Sequence, residues 1–465
     1  MRTTGTLALL AVLAQPVVAQ TTLIDVPVER FTLPNGLNVI VHRDTTSPII
    51  TTNLWFHVGS ARERPGRTGF AHLFEHIMFE GSKNVPEGKI DEWFEEVGGS
   101  PNGSTARDRT NYYQTFSKNA LDMALFIESD RVGYLLDAMS PASVDGQRDV
   151  VKNERRQSYD NRPYGLQGQL LAELLYPPDH PYHWPVIGYM DDLTSASYQD
   201  VVDFFKRYYA PNNTSLVIAG DVDVARARLL AERWFAEVPR GEAVPPLESP
   251  LPVIAEQKRA VLEDRVQLPR LTMAWITPPA YAEGDAALSA LGQLLAGGKN
   301  ARLYSRLVYE LQIADDVSAA QSSAKLASDF RISATARSGH SLDELELVIL
   351  EELEKIRQAA PAARELERIV NQYEVGFFER LERISSKADQ LNEYFYYTGT
   401  PDYFEQDLAR YRSLTPRDLS DAARRWLGTD TRVVLSIVPE GRIELAAKNS
   451  ASIPRENLAQ SPGAR

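Results

Sequence analysis

The 465-residue chain is written twice, and that repetition constrains its fold more than any single motif. In the first half the helical run through His72 and His76 leads into Glu80-Gly81-Ser82-Lys83-Asn84. In the second, Leu288 to Leu295 leads into Ala296-Gly297-Gly298-Lys299-Asn300. Aligning Gly81 with Gly297 and Lys83 with Lys299 sets Leu288, Leu291 and Gly292 opposite His72, Glu75 and His76. The ends of the halves agree as well. Leu193-Thr194 opens a helical stretch that passes Tyr208–Asn213 into the strand Ser215–Ala219, as Leu414-Thr415 opens one leading into Arg432–Val438. A duplicated unit explains both matches, with only the first copy keeping the His72/Glu75/His76 metal-site residues.

Within the first copy, Phe31–Leu33 and Leu37–Val41 flank the turn Pro34-Asn35-Gly36 and read as a hairpin. Ile49 to Val58 is a further β-rich run, and helices follow at the histidine segment, Ile90–Val97 and Leu121–Leu136. This order is mixed and not strictly alternating, which gives α+β as the fold class. The Pro-rich stretch around Val238–Pro252 reads as a linker. The expected domains are 24–238 and 263–447, joined by 239–262, with a polar, flexible tail at 448–465.

The segment His72-Leu73-Phe74-Glu75-His76 places two imidazoles and a carboxylate on one helical turn. Side chains four apart on a helix are neighbours, so His72 and His76 can grip one ion while Glu75 reaches a water beside it. Thr68 is the expected N-cap, with Gly69 opening the helix. Phe70, Leu73, Phe74, Ile77 and Met78 supply the buried face. The chain has no cysteine, so disulfides are excluded and any metal must use imidazole and carboxylate.

A formal charge of −13 argues against nucleic acid as a partner. Arg2, the apolar run Leu7–Leu13, Pro16 and the small-residue end at Ala19 read as a secretory signal, residues 1–19. The expected destination is outside the cytoplasm, and the periplasm if the source is Gram-negative. No later stretch approaches the ~18 apolar residues a membrane span needs.

These pieces together resemble the pitrilysin family of inverted-zincin metallopeptidases, which includes insulysin and mitochondrial processing peptidase. The resemblance runs in order through Gly59–Glu63, Gly69–His76, Asn102–Tyr113, Val150–Arg156, His180-Pro181-Tyr182 and Tyr208–Asn213. It implies two homologous domains, each a mostly antiparallel sheet covered by helices, forming half of a clamshell. It also implies one zinc ion per chain, held by His72, His76 and a Glu on another helix. Glu154 matches that third ligand, with Glu128 as the alternative, and Glu75 becomes the catalytic base.

The stretch carrying Asn102, Gly103, Ser104 and Thr105 corresponds to an edge strand that pairs with peptide substrate. Asp108 and Tyr112 are expected to brace it. Gln147 stands where relatives often carry Glu. His180 and His183 read as part of a structured loop, not as metal ligands. Self-sufficient relatives use an Arg and a Tyr of the second half on substrate. Here those positions hold Val308 and Asp315, and Arg302 matches a more general family Arg. The resemblance therefore implies a zinc-bearing subunit whose homologous partner supplies the missing pair, acting on short unfolded peptides in an enclosed chamber. A homodimer and a non-catalytic peptide-binding scaffold are the alternatives.

Overall fold

Two six-stranded sheets, each with its own helices, make up the computed structural model, which describes residues 24–460. The expected signal segment, residues 1–19, lies outside the described residues. The first half runs through β1 (Glu29–Thr32), β2 (Asn38–Arg43), β3 (Ile49–Phe56), α1 (Phe70–Ile77), α2 (Lys89–Glu96), β4 (Asn102–Thr105) and β5 (Thr110–Ser117). It continues with α3 (Leu121–Ala138), α4 (Pro141–Arg155), α5 (Gln167–Leu175), α6 (Met190–Ser195), α7 (Tyr198–Tyr208), β6 (Thr214–Gly220) and α8 (Val224–Phe235).

The second half contains β7 (Lys258–Asp264), β8 (Arg270–Thr277), α9 (Asp285–Ala296), β9 (Ala314–Ser322), β10 (Ser328–Ala336) and α10 (Leu342–Gln358). After these come α11 (Ala363–Glu382), α12 (Ile384–Thr398), α13 (Phe404–Arg412), α14 (Pro416–Trp426), β11 (Val433–Pro439) and β12 (Ala451–Ser452).

The duplication is visible in the strand order. The first sheet reads β1-β2-β6-β3-β5-β4 and the second β12-β7-β11-β8-β10-β9. Without the outer strands β1 and β12, the two orders coincide. Within these five shared strands one pair is parallel, β2 with β6 and β7 with β11, and the rest are antiparallel; of the outer strands, β1 is antiparallel to β2 and β12 parallel to β7. Even the helix starts correspond: Ser197 and Asp200 form a capping box on α7, as Thr415 and Asp418 do on α14.

The halves exchange equivalent helices. α12 of the second half lies on β3 and β6 of the first sheet, and α5 of the first half lies on β8 and β11 of the second. Leu391 and Tyr394 pack with Ile40, Val217 and Ala219, while Leu170 and Leu171 pack with Ala274 and Leu435. Polar pins reinforce the exchange, with Asn392 Nδ2 donating to Asn53 O at 2.8 Å and Ser215 Oγ donating to Asn392 Oδ1 at 2.7 Å. Each sheet thus needs the other half to cover one of its faces.

Two expectations about connecting segments are corrected. Regular structure resumes at Lys258, inside the stretch 239–262 expected as linker. The residues before it are tied down: Gly241 N donates to Asn212 Oδ1, Arg62 Nη1 donates to Pro245 O, and Ile254 is buried. The C-terminal segment, expected as a flexible tail from 448, is docked through Gln460. β12 pairs with β7, a 3-10 turn spans Arg455–Ala459, and Leu458 is buried among Leu170, Leu171 and Tyr176. One apolar residue and a run of satisfied backbone groups outweigh the polar composition of that stretch.

Candidate metal centre and active site

α1 is anchored by its apolar face. Phe70, Leu73, Phe74 and Ile77 are buried, Phe74 stacks on Phe204, and Tyr112 OH donates to Phe74 O at 3.0 Å. Its start differs from the expected Thr68 cap. Thr68 Oγ1 instead donates to Asp192 Oδ2 (2.7 Å) and accepts from Tyr189 N (3.0 Å). The N-cap position is Gly69, in the left-handed region at φ 88°.

The free helix N–H groups are met by Glu63, whose carboxylate accepts from Gly69 N and Ala71 N, both at 2.9 Å. Burial pushes the Glu63 carboxyl up to about 8, against the pull of those N–H donors. Glu63 ends the Gly59–Glu63 stretch, yet no local pattern marks it as a cap six residues upstream.

α4 brings Glu154 to the histidines. Its N-terminus is fixed by the Ser140–Ser143 capping box, and beyond Arg155 the chain continues as a π-helical turn, Arg156–Asp160. Glu154 Oε2 lies 3.2 Å from His76 Nε2 and 3.7 Å from His72 Nε2. One ligand atom from each of the three residues lies within 4.8 Å of the others, and this is the one such His/Cys/Asp/Glu group among the described residues.

Zinc bonds of about 2.0–2.2 Å in a tetrahedron put neighbouring ligand atoms roughly 3.3–3.5 Å apart. The observed spacings bracket that value, so the residues present fit the ion. Two imidazoles and one carboxylate also leave a fourth position for water or substrate. Burial lowers the His72 pKa, with Glu154 and Glu75 opposing, which favours the neutral ring a metal requires. The hydrogen bond with His76 holds the Glu154 carboxyl below its ordinary range. Glu128, the alternative third ligand, is buried elsewhere. It accepts from Gln114 Nε2 and sits beside Arg131.

Glu75 faces the strand predicted to receive peptide. Thr105 Oγ1 donates to Glu75 Oε2 at 2.6 Å, so this residue holds the carboxylate in addition to lying on β4. A Cβ at Gly103 would fall 3.1 Å from Glu75 Cγ and 3.2 Å from Phe79, so glycine lets the strand approach α1 this closely. Asn102 is exposed and accepts from Gly103 N, while Ser104 Oγ donates to Asn111 and its carbonyl accepts from Arg109. Among the described residues β4 pairs only with β5, so its other edge is open there.

Asp108 braces the turn after β4. It accepts from Tyr182 OH (2.5 Å), Lys325 N (3.0 Å) and Tyr397 OH (3.3 Å), tying the hairpin to the second half. Gln147 Nε2 donates to Glu80 Oε1, so an acid beyond the end of α1 shares its neighbourhood. His180 stacks on Tyr176 and accepts from Tyr182 N, and His183 Nδ1 meets Tyr176 O. In the second half Val308 is buried, Asp315 pairs with Arg337, and Arg302 pairs with Glu365.

Fold and donor set together define a class, and the comparisons agree with it: this chain belongs to peptidase family M16. The model described as Insulinase (Peptidase family M16) matches residues 38–176, and that described as Peptidase M16 inactive domain matches 195–373. Among its relatives is the zinc protease PqqE of Helicobacter pylori, 30% identical over 396 residues, covering 82% of this chain and 86% of the relative. The mitochondrial-processing peptidase subunit beta of Saccharomyces cerevisiae is 26% identical over 260 residues, 54% of this chain and 55% of that one. A crystal structure of a protease from Helicobacter pylori superimposes with a TM-score of 0.84 at 27% identity, over 89% of this chain and all of that one. The first half of the periplasmic protease PqqL from Escherichia coli shares the fold, with a TM-score of 0.75 at 20% identity over 91% and 94% of the two chains.

Proposed function

We propose that this chain is a zinc-dependent endopeptidase that hydrolyses short unfolded peptides. The observation that carries the reading is the convergence of His72, His76 and Glu154 beside a carboxylate, Glu75, that faces an open strand edge. Zinc held by those three residues would polarise the scissile carbonyl and acidify a water. The rest falls to side chains and backbone. An extended peptide pairs with β4 through main-chain hydrogen bonds at Asn102–Thr105, which favours shape over sequence. Glu75, oriented by Thr105, takes the proton of the attacking water and returns it to the leaving amine nitrogen.

The chain acts as the zinc-bearing subunit of a heterodimer, whose homologous partner contributes the Arg and Tyr that Val308 and Asp315 do not replace. The pair closes a chamber, and its setting is the periplasm, reached through the leader at residues 1–19. This arrangement rests on the sequence positions of Val308 and Asp315 and on the family assignment. The direct test is hydrolysis of an internally quenched peptide by the zinc-loaded chain, with and without chelator and with a candidate partner. Chelator-sensitive turnover that rises on adding the partner supports the reading. Full activity of the chain alone rejects the heterodimer in favour of a homodimer or monomer. Zinc binding with no hydrolysis under any pairing points to a peptide-binding scaffold.

A further inference from the structure

Arg155, next to Glu154 on α4, is turned fully inward. Its Nη1 donates to Gly188 O at 2.6 Å, and its Nη2 donates to Gln169 Oε1 and Leu458 O, each at 3.0 Å. Gln169 Nε2 donates to the same Leu458 carbonyl at 2.8 Å. One guanidinium therefore spans three distant parts of the chain.

Gly188 leads directly to the other donor helix. A Cβ there would fall 2.6 Å from Gly69 Cα, so the two backbones are in contact at the residue that opens α1. Arg155 is in this way linked through Gly188 to the helix carrying His72 and His76, while its own helix carries Glu154. The third point, Leu458 O, belongs to the docked C-terminal segment. That segment is held by the buried Leu458 side chain and by Arg455, which donates to the Asp264 carboxylate and to Asp160 O at the end of the π-helical turn.

We propose that Arg155 is a positioning residue for the metal donors, and that the C-terminal segment around Leu458 fixes Arg155 and so sets the distance between Glu154 and the two histidines. A metal site tolerates only about ±0.2 Å in its bond lengths, finer than helix packing alone defines. A rigid guanidinium fork with two carbonyls and an amide oxygen on its corners supplies that precision. The segment farthest along the chain thus belongs functionally to the first half.

The inference rests on the three donors being a metal site, and its test separates the two ideas. Zinc affinity of the full-length chain is measured by competition with a chromophoric chelator, alongside far-UV circular dichroism and the melting temperature of the metal-free protein. Arg155→Met is expected to weaken zinc binding about 10- to 100-fold, as loss of supporting contacts around metal ligands does. Arg155→Lys, which can reach one carbonyl at a time, is expected to fall between. Leu458→Ala, which releases the carbonyl without touching α1 or α4, is expected to weaken zinc by about tenfold while the metal-free protein stays folded.

A purely structural role would lower the melting temperature and leave zinc affinity intact. Folded Arg155→Lys and Leu458→Ala proteins that bind zinc as the wild type does would overturn the proposal, and these two decide if Arg155→Met does not fold. A wild-type chain that binds no zinc would overturn the reading of the site, and this inference with it.

Discussion

In the proposed reaction Glu75 is the residue on which the chemistry turns, and its surroundings separate binding from catalysis. Glu75→Gln keeps the shape of the site and the three donors, so zinc affinity should stay near wild type. Turnover should fall by about 10²–10⁴, the usual contribution of a positioned acid or base. Thr105→Val removes the donor to Glu75 Oε2 and leaves the β4 backbone unchanged. Hydrogen bonds to charged groups are worth about 1.5–3 kcal/mol, so kcat should drop by roughly tenfold or more with KM little altered. Steady-state kinetics on one quenched peptide checks both. The histidine pair and Glu75 were legible because their relation is local, three and four residues apart on one helix. Thr105 was legible only as part of a strand, since its bond to Glu75 crosses from sheet to helix.

Helix starts and loops carry the next set of consequences. With Glu63 capping α1 from six residues upstream, Glu63→Ala should leave Gly69 and Ala71 N–H groups buried without acceptors. The expected loss is about 2–3 kcal/mol in chemical denaturation, whereas Glu63→Gln keeps one acceptor and should lose less. Thr68 reads as the cap because capping residues usually adjoin the helix; the left-handed Gly69 puts the acceptor elsewhere.

His180 gives a pH dependence. Burial, with Arg107 nearby, lowers its pKa from 6.5 to about 4, so the unfolded chain binds a proton that the folded chain refuses. The neutral ring therefore contributes stability above pH 6.5 that is lost as pH falls toward 4. Between pH 7 and pH 5 the wild type should lose about 2 kcal/mol more than His180→Asn, measured by urea denaturation at each pH.

At the scale of the molecule, the exchange of α5 and α12 makes the halves interdependent. The isolated segment 24–238 would expose the face of β2, β3 and β6 that α12 covers. It should therefore be poorly soluble or bind a hydrophobic dye, and a stable, dye-free fragment by gel filtration would contradict the exchange. The duplication, the hairpin at Asn35-Gly36 and the α+β class were legible because they repeat in sequence or depend on neighbouring residues. The helix exchange, the resumption of structure at Lys258 and the docking of residues 451–460 were not. Each depends on contacts between residues far apart in the chain, and the tail's polar composition conceals the single buried Leu458.

The most direct measurement is anomalous scattering at the zinc edge from crystals of the zinc-loaded chain. One peak per chain is expected, about 2.0–2.2 Å from His72 Nε2, His76 Nε2 and a Glu154 carboxylate oxygen, with Glu75 beside it and unbonded to the ion. A peak on other residues, or none at this cluster under saturating zinc, would contradict the account.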